Sequence, residues 1–197
     1  MRNILVKNWL ASGLILAALA GSVNAEADQN LGLNPDPVYV FNRICYAQVP
    51  NVQSIQTMST KLAWRAIEAA ELKEFKNSEN PTFLAGWDVQ VGERLFRVGV
   101  TQSVAGGTLL AAFPEFLGGI TTSCSVVLDD QQDAAMMLEN MQTLVGKEPI
   151  SSGVREGFFR TTTWGGGNAD LKVFAFAKVP VVGEGGLLNV TILQKQP

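Results

Sequence analysis

Cys45 and Cys124 are the two cysteines of the chain, and the segments around them repeat with different periods. Val38, Phe41, Ile44 and Cys45 recur at the three- and four-residue steps of one helical face. Cys124, Val126 and Leu128 recur at every second residue, the step of one strand face. Each thiol therefore points with the apolar stripe of its own element. Two cysteines in a chain read as exported are most simply one disulfide, and the two inward thiols are consistent with a bridge from the first helix to the sheet. A redox pair would favour close spacing of the C-x-x-C kind, which the sequence lacks. A structural bridge closing a loop of about 80 residues contributes roughly 4–5 kcal/mol on the chain-entropy account.

A disulfide implies an oxidising compartment, and residues 1–25 have the layout of an export signal. Arg2 and Lys7 supply the positive start. An uncharged stretch runs from Trp9 to Ala20, Gly21 breaks it, and Val23-Asn24-Ala25 offers compact residues for cleavage after Ala25. A membrane span needs roughly 17–25 apolar residues, more than this stretch provides. Charges interrupt every later apolar run. The expected location is the bacterial periplasm or the medium.

The 197 residues contain no histidine, which removes Ser-His-Asp and Cys-His catalysis and every His-ligated metal or haem site. The net charge of −3, more negative once Arg2 and Lys7 leave, gives no general attraction for nucleic acid. No cofactor and no catalytic residue is expected.

The predicted organisation is a signal peptide over 1–25, a flexible lead over 26–35 and a single α+β domain over 36–197. Asp36 and Pro37 form a helix start, and Pro50 ends that helix. A second amphipathic helix covers 51–63, with Val52, Ile55, Met58 and Leu62 on one face. Trp64–Ile67 fits either a continued helix or a short strand. Glu68–Lys76 reads as a short helix with Leu72 and Phe75 turned inward. Trp87, Val89 and Val91, then Phe96, Val98 and Val100, alternate about Gly92-Glu93 as a hairpin. Thr121–Leu128 is a strand. Asp129–Val145 is a helix with Asp129, Asp130 and Asp133 near its positive end and Gly146 just past its last turn. Phe158–Trp164, Leu171–Val179 and Leu187–Gln194 complete a meander, joined by Gly165–Asn168 and Gly183–Gly186. Consecutive antiparallel strands without alternating helices predict a mostly antiparallel sheet of five or six strands, with helices packed on one face.

Local motifs for chemistry are weak. Gly165-Gly166-Gly167 lacks the Lys-Ser/Thr pair of a phosphate loop. Ser59 and Lys61 stand two residues apart, which puts them on different faces of a helix. Ser151-Ser152-Gly153 lacks the upstream glycine of a nucleophile elbow. The three aspartates at 129, 130 and 133 lack the ligand pattern of a calcium loop. Asn189-Val190-Thr191 is a formal glycosylation sequon within a predicted strand. Trp64, Trp87 and Trp164 suit either core packing or a ligand wall. Val104–Ile120 is apolar and glycine-bounded, and reads as a pair of buried or edge strands extending the hairpin or as an exposed flap. Leu109, Leu110, Phe113, Phe116 and Trp164 form the candidate interaction surface.

The export signal, Phe41-x-x-x-Cys45 on the first helix, Trp87 opening a hairpin and Cys124-x-Val126 on a later strand together resemble a class of small exported bacterial proteins of unknown function. That resemblance spans most of the chain after residue 25 and implies no catalytic residues. The length of Val104–Ile120 departs from it. The function expected is a non-catalytic binding protein, its partner an envelope protein or a small ligand. The alternatives are a His-free envelope hydrolase working through carboxylates or Ser/Lys, and an inhibitor of an envelope enzyme.

Overall fold

The computed structural model describes residues 35–128, 134–155 and 158–196. The signal, nearly all of the flexible lead, and Asp129, Asp130 and Asp133 lie outside the described residues.

The chain enters at Asp36, whose carboxylate accepts a hydrogen bond from the Val38 amide at 3.0 Å and starts α1 (Pro37–Phe41). A π-type turn over Asn42–Tyr46 carries the helix on and places Ile44 and Cys45 in the interior. Next come α2 (Val52–Lys61) and the two-residue strand β1 (Arg65–Ala66). A 3-10 turn over Leu72–Phe75 precedes a long hairpin of β2 (Phe83–Val91) and β3 (Arg94–Val104). Its two-residue loop is Gly92-Glu93, and Gly92 takes the left-handed φ of 59° that such a turn requires.

After β3 the chain forms α3 (Gly107–Ala112) and a 3-10 turn over Pro114–Phe116, then returns as β4 (Ile120–Leu128). Then follow α4 (Ala134–Val145), β5 (Ser151–Arg155), β6 (Phe159–Gly167), β7 (Leu171–Pro180) and β8 (Gly186–Gln194).

All these strands join one antiparallel sheet in the order β1-β2-β3-β4-β8-β7-β6-β5. Two four-stranded meanders thus lie side by side and meet along β4 and β8, where Cys124 stands opposite Val190.

The expected five or six strands become eight. The additions are β1, which falls in the Trp64–Ile67 segment that fitted either a helix or a short strand, and β5; they form the two edges. Neither carries the apolar alternation that marks a strand in sequence: β1 is two exposed residues, and Ser151–Val154 is exposed throughout. Gly165–Gly167 belongs to β6 and is not a connection. The turn is confined to 168–170, where the Asn168 side chain accepts from the Asp170 and Leu171 amides at 2.9 Å each.

The main core lies between the sheet and α1, α2 and α4. It gathers Phe41, Ile44, Cys45 and Ile55 from the first helices and Met137 and Met141 from α4. The sheet contributes Trp87, Phe96, Val98, Val100, Cys124, Val126, Trp164, Leu188 and Val190. The Cys45–Cys124 disulfide crosses it, with Cα atoms 5.3 Å apart and a sequence separation of 79.

The second face of the sheet is covered differently. Phe75 and Leu72 lie over Gly99 and Gly86 of β3 and β2. Further along, Ala105, Phe116 and Leu193 form a smaller buried cluster, flanked by Leu110 and Phe113. Helices therefore do not keep to one face: α3 packs on the side opposite α1, α2 and α4.

Candidate functional site

The segment expected as buried or edge strands is a short helical flap. Val104 and Ile120 form the last rung of the β3–β4 ladder, and the Ala105 amide donates to the Gly119 carbonyl at 2.8 Å just beyond it. Gly118 turns the chain back with a φ of 79°. The flap is pinned by its aromatic rings. Phe116 is fully buried against Leu193, and Phe113 meets Phe116 edge-on at 6.5 Å and Phe174 at 5.5 Å. The Lys172 and Lys195 ammonium groups sit over the Phe113 and Phe116 rings at 5.7 and 5.4 Å. No residue of α3 itself is fully buried; the flap's buried side chain is Phe116 of the 3-10 turn that follows. An extension of the hairpin would leave both of its faces to find cover.

Between the flap and the second face of the sheet lies a half-enclosed cavity of about 310 Å³. Its floor comes from alternate residues of three adjacent strands: Ser103 on β3, Thr121 and Ser123 on β4, and Thr191 on β8. Asn77 and Ser78 form one wall, and Val104, Gly106, Gly107, Thr108 and Leu109 form the other. No charged side chain is among these lining residues.

Hydrogen bonds fix the direction of most floor hydroxyls. Ser103 and Thr101 both donate to Asn77 Oδ1 at 3.1 Å. Thr191 donates to Asn189 Oδ1 at 3.0 Å, and Asn189 Nδ2 donates to Ser125 Oγ at 2.8 Å. With the Thr191 proton used this way, the 2.8 Å contact between Ser123 and Thr191 has Ser123 as donor. Two hydroxyls stand apart. Thr121 Oγ1, in a residue only 3% exposed, and Ser78 Oγ are buried without a hydrogen-bond partner. Their oxygens have essentially no surface that a water molecule can reach, so these two hydroxyls lie behind the cavity wall and do not open into it.

The five residues of the candidate interaction surface separate. Leu109 lines the cavity; Leu110 and Phe113 are half-buried beside the flap cluster; Phe116 is buried within it. Trp164 is 1% exposed on the opposite face, in the main core. Its indole nitrogen also lacks a partner, and it borders a shallower hollow with Leu138, Glu139, Gln142, Ser152 and Thr162. Trp87 is likewise buried in the core and meets Trp64 edge-on at 6.2 Å. The most exposed large apolar side chains of the flap and of the far end of the sheet are Leu117, at 82%, and Phe158 and Val182, at 72% and 90%. Asn189 of the formal sequon is buried and hydrogen-bonded within the sheet.

Sequence reasoning missed the cavity floor. Ser103, Thr121, Ser123 and Thr191 occupy the positions that alternate with core residues, where polar side chains read as solvent-facing. The available signal was the density of hydroxyls in Thr121-Thr122-Ser123-Cys124-Ser125, on a strand whose other pattern is that of a central one.

Among the described residues no helix is long and apolar enough to cross a membrane, and no group of three or more Cys, Asp or Glu is placed to hold a metal ion. No protein-family model matches the sequence, and no curated protein or solved structure is significantly similar to it.

Proposed function

We propose that this is an exported, non-catalytic binding protein that holds a small ligand in the cavity beneath the Val104–Ile120 flap. The observation that carries the reading is the half-enclosed cavity of about 310 Å³ itself, floored by Ser103, Thr121, Ser123 and Thr191 and bounded by the flap. Concave, partly enclosed sites with a few convergent polar groups are where small ligands bind. Export is supported by the layout of residues 1–25 and by the Cys45–Cys124 bridge. The hydrolase alternative finds no carboxylate among the residues lining this cavity. The flap contacts the sheet through its own aromatic cluster, which favours a lid over a protruding inhibitory loop.

Thermal unfolding of the wild type and of Ser123→Leu, whose larger side chain fills the cavity floor, against a library of small metabolites tests the reading. A ligand at a hundred times its Kd stabilises the protein by about 2.7 kcal/mol, an increment easily read as a rise in Tm. The expected result is at least one compound that raises the wild-type Tm and leaves that of the variant unchanged. A library in which every stabilising compound acts equally on both proteins overturns the assignment of this cavity.

A further inference from the structure

We infer that a second site, at the Lys147 end of α4 and independent of the flap cavity, takes a small carboxylate with a compact apolar body. The starting point is the run Gly165-Gly166-Gly167 inside β6. A glycine within a strand gives up backbone entropy and brings no side chain to the sheet, so each of the three needs a cause. Two have one. A Cβ on Gly165 would press on the Ile150 and Phe174 side chains, at 3.0 and 3.3 Å. Gly167 holds a φ of 123°, and a Cβ there would run into the Leu171 carbonyl oxygen. Gly166 has neither reason. A Cβ on it would meet the free end of Lys147, with Nζ 2.6 Å away.

The Lys147 ammonium thus lies over the bare backbone of Gly166. Among the described residues no hydrogen bond or ion pair involves it, so it does not cap the end of α4. It borders a small cavity of about 160 Å³ on the main-core face of the sheet, the face opposite the flap. Val145 enters the wall from the last turn of α4, Tyr46 from the turn after α1, and Val173 from β7, where it is the register partner of Gly166. These three are half-buried and present apolar surface. Trp164 and Ala175 close the back, but at 1% and 2% exposure they give a ligand almost nothing to touch. The Trp164 indole nitrogen takes no part in the site.

This wall selects the ligand. Lys147 is the one charged residue in the lining, so the matching charge is a single negative one. A neutral molecule would leave the ammonium without a partner. Phosphate would meet one point charge and otherwise mostly apolar surface, where its remaining oxygens lose water without compensation. A carboxylate pairs with the ammonium in a charge-assisted hydrogen bond, and the missing Cβ of Gly166 leaves it room there. The valines and the tyrosine ring receive the rest of the molecule. Pockets for drug-sized ligands measure roughly 300–1,000 Å³, so this smaller cavity suits a single ring or a short chain.

The test follows the amide resonances of Gly165, Gly166 and Gly167 in the purified protein. The probes are benzoate and butyrate, with benzamide as the neutral counterpart and inorganic phosphate as the bare anion. The expected result is saturable movement of these amides with a carboxylate, while benzamide and phosphate each bind about fivefold or more weakly. Lys147→Met changes an exposed residue, and the methyl of Gly166→Ala displaces only the free end of a flexible side chain. Both variants should keep the wild-type Tm and bind the carboxylate about fivefold or more weakly. Ser123→Leu, which fills the flap cavity, should leave binding here unchanged, so the two sites stand or fall separately. The site is overturned if neither carboxylate moves these amides, or if Lys147→Met binds the carboxylate as the wild type does. The ligand class is overturned if benzamide or phosphate binds as tightly as benzoate, a comparison that needs the wild type alone.

Discussion

The ring of Phe75 rests on the bare backbone of Gly99, so that a methyl group at position 99 would overlap it. This contact closes the β2–β3 end of the second sheet face and leads the chain into the Asn77–Ser78 wall of the cavity. It therefore couples the packing of one aromatic side chain to the position of the site.

Gly99→Ala forces Phe75 off the sheet and is expected to cost about 1–3 kcal/mol, the usual range for overpacking. Phe75→Ala alone costs on the order of 3–5 kcal/mol for the lost ring. The double variant should cost less than the sum, because the methyl added at position 99 then occupies space the ring has left. Urea unfolding of the four proteins measures this. Strict additivity would show that the ring does not sit on Gly99 in solution.

The Cys45–Cys124 bridge ties the first helix to the centre of the sheet over 79 residues of sequence. Replacing both cysteines with alanine should destabilise the protein by about 2–5 kcal/mol and leave the fold intact where enough stability remains. Chemical denaturation of the variant, beside the wild type with and without reductant, checks the size of the effect. An unchanged midpoint would mean that the thiols are not joined.

Phe116 pins the flap, and its cluster with Ala105 and Leu193 is separate from the main core. Phe116→Ala should release the flap locally. Hydrogen exchange should speed up across 105–119, with the Ala105 and Gly119 amides prominent, while the amides of β7 and β8 away from the flap keep their protection. Uniform loss of protection over the sheet would show that the flap and the sheet unfold as one unit.

These cases also mark how far the sequence could be read. Cys45 and Cys124 were legible because each shares the period of an apolar stripe, and Gly92-Glu93 because a two-residue turn needs a residue tolerant of positive φ. β5 was not, because Ser151–Val154 is an exposed edge with little apolar alternation to detect. Gly165–Gly167 looked like a loop, yet it continues a strand where the Lys147, Ile150 and Phe174 side chains close over the glycines. The flap was apolar enough for a strand. The segment is held to the sheet instead by Phe113 and Phe116, which follow α3 and pack with Phe174 and Leu193. The cavity floor was hidden because whether Thr121 meets solvent or a flap depends on residues from three separate segments.

The most direct measurement is ligand stabilisation of the wild type beside Ser123→Leu, which puts a large side chain on the cavity floor. The account predicts at least one small compound that raises the Tm of the wild type and leaves that of the variant unchanged. Stabilising compounds that act equally on both proteins would contradict the central claim that this cavity holds a ligand.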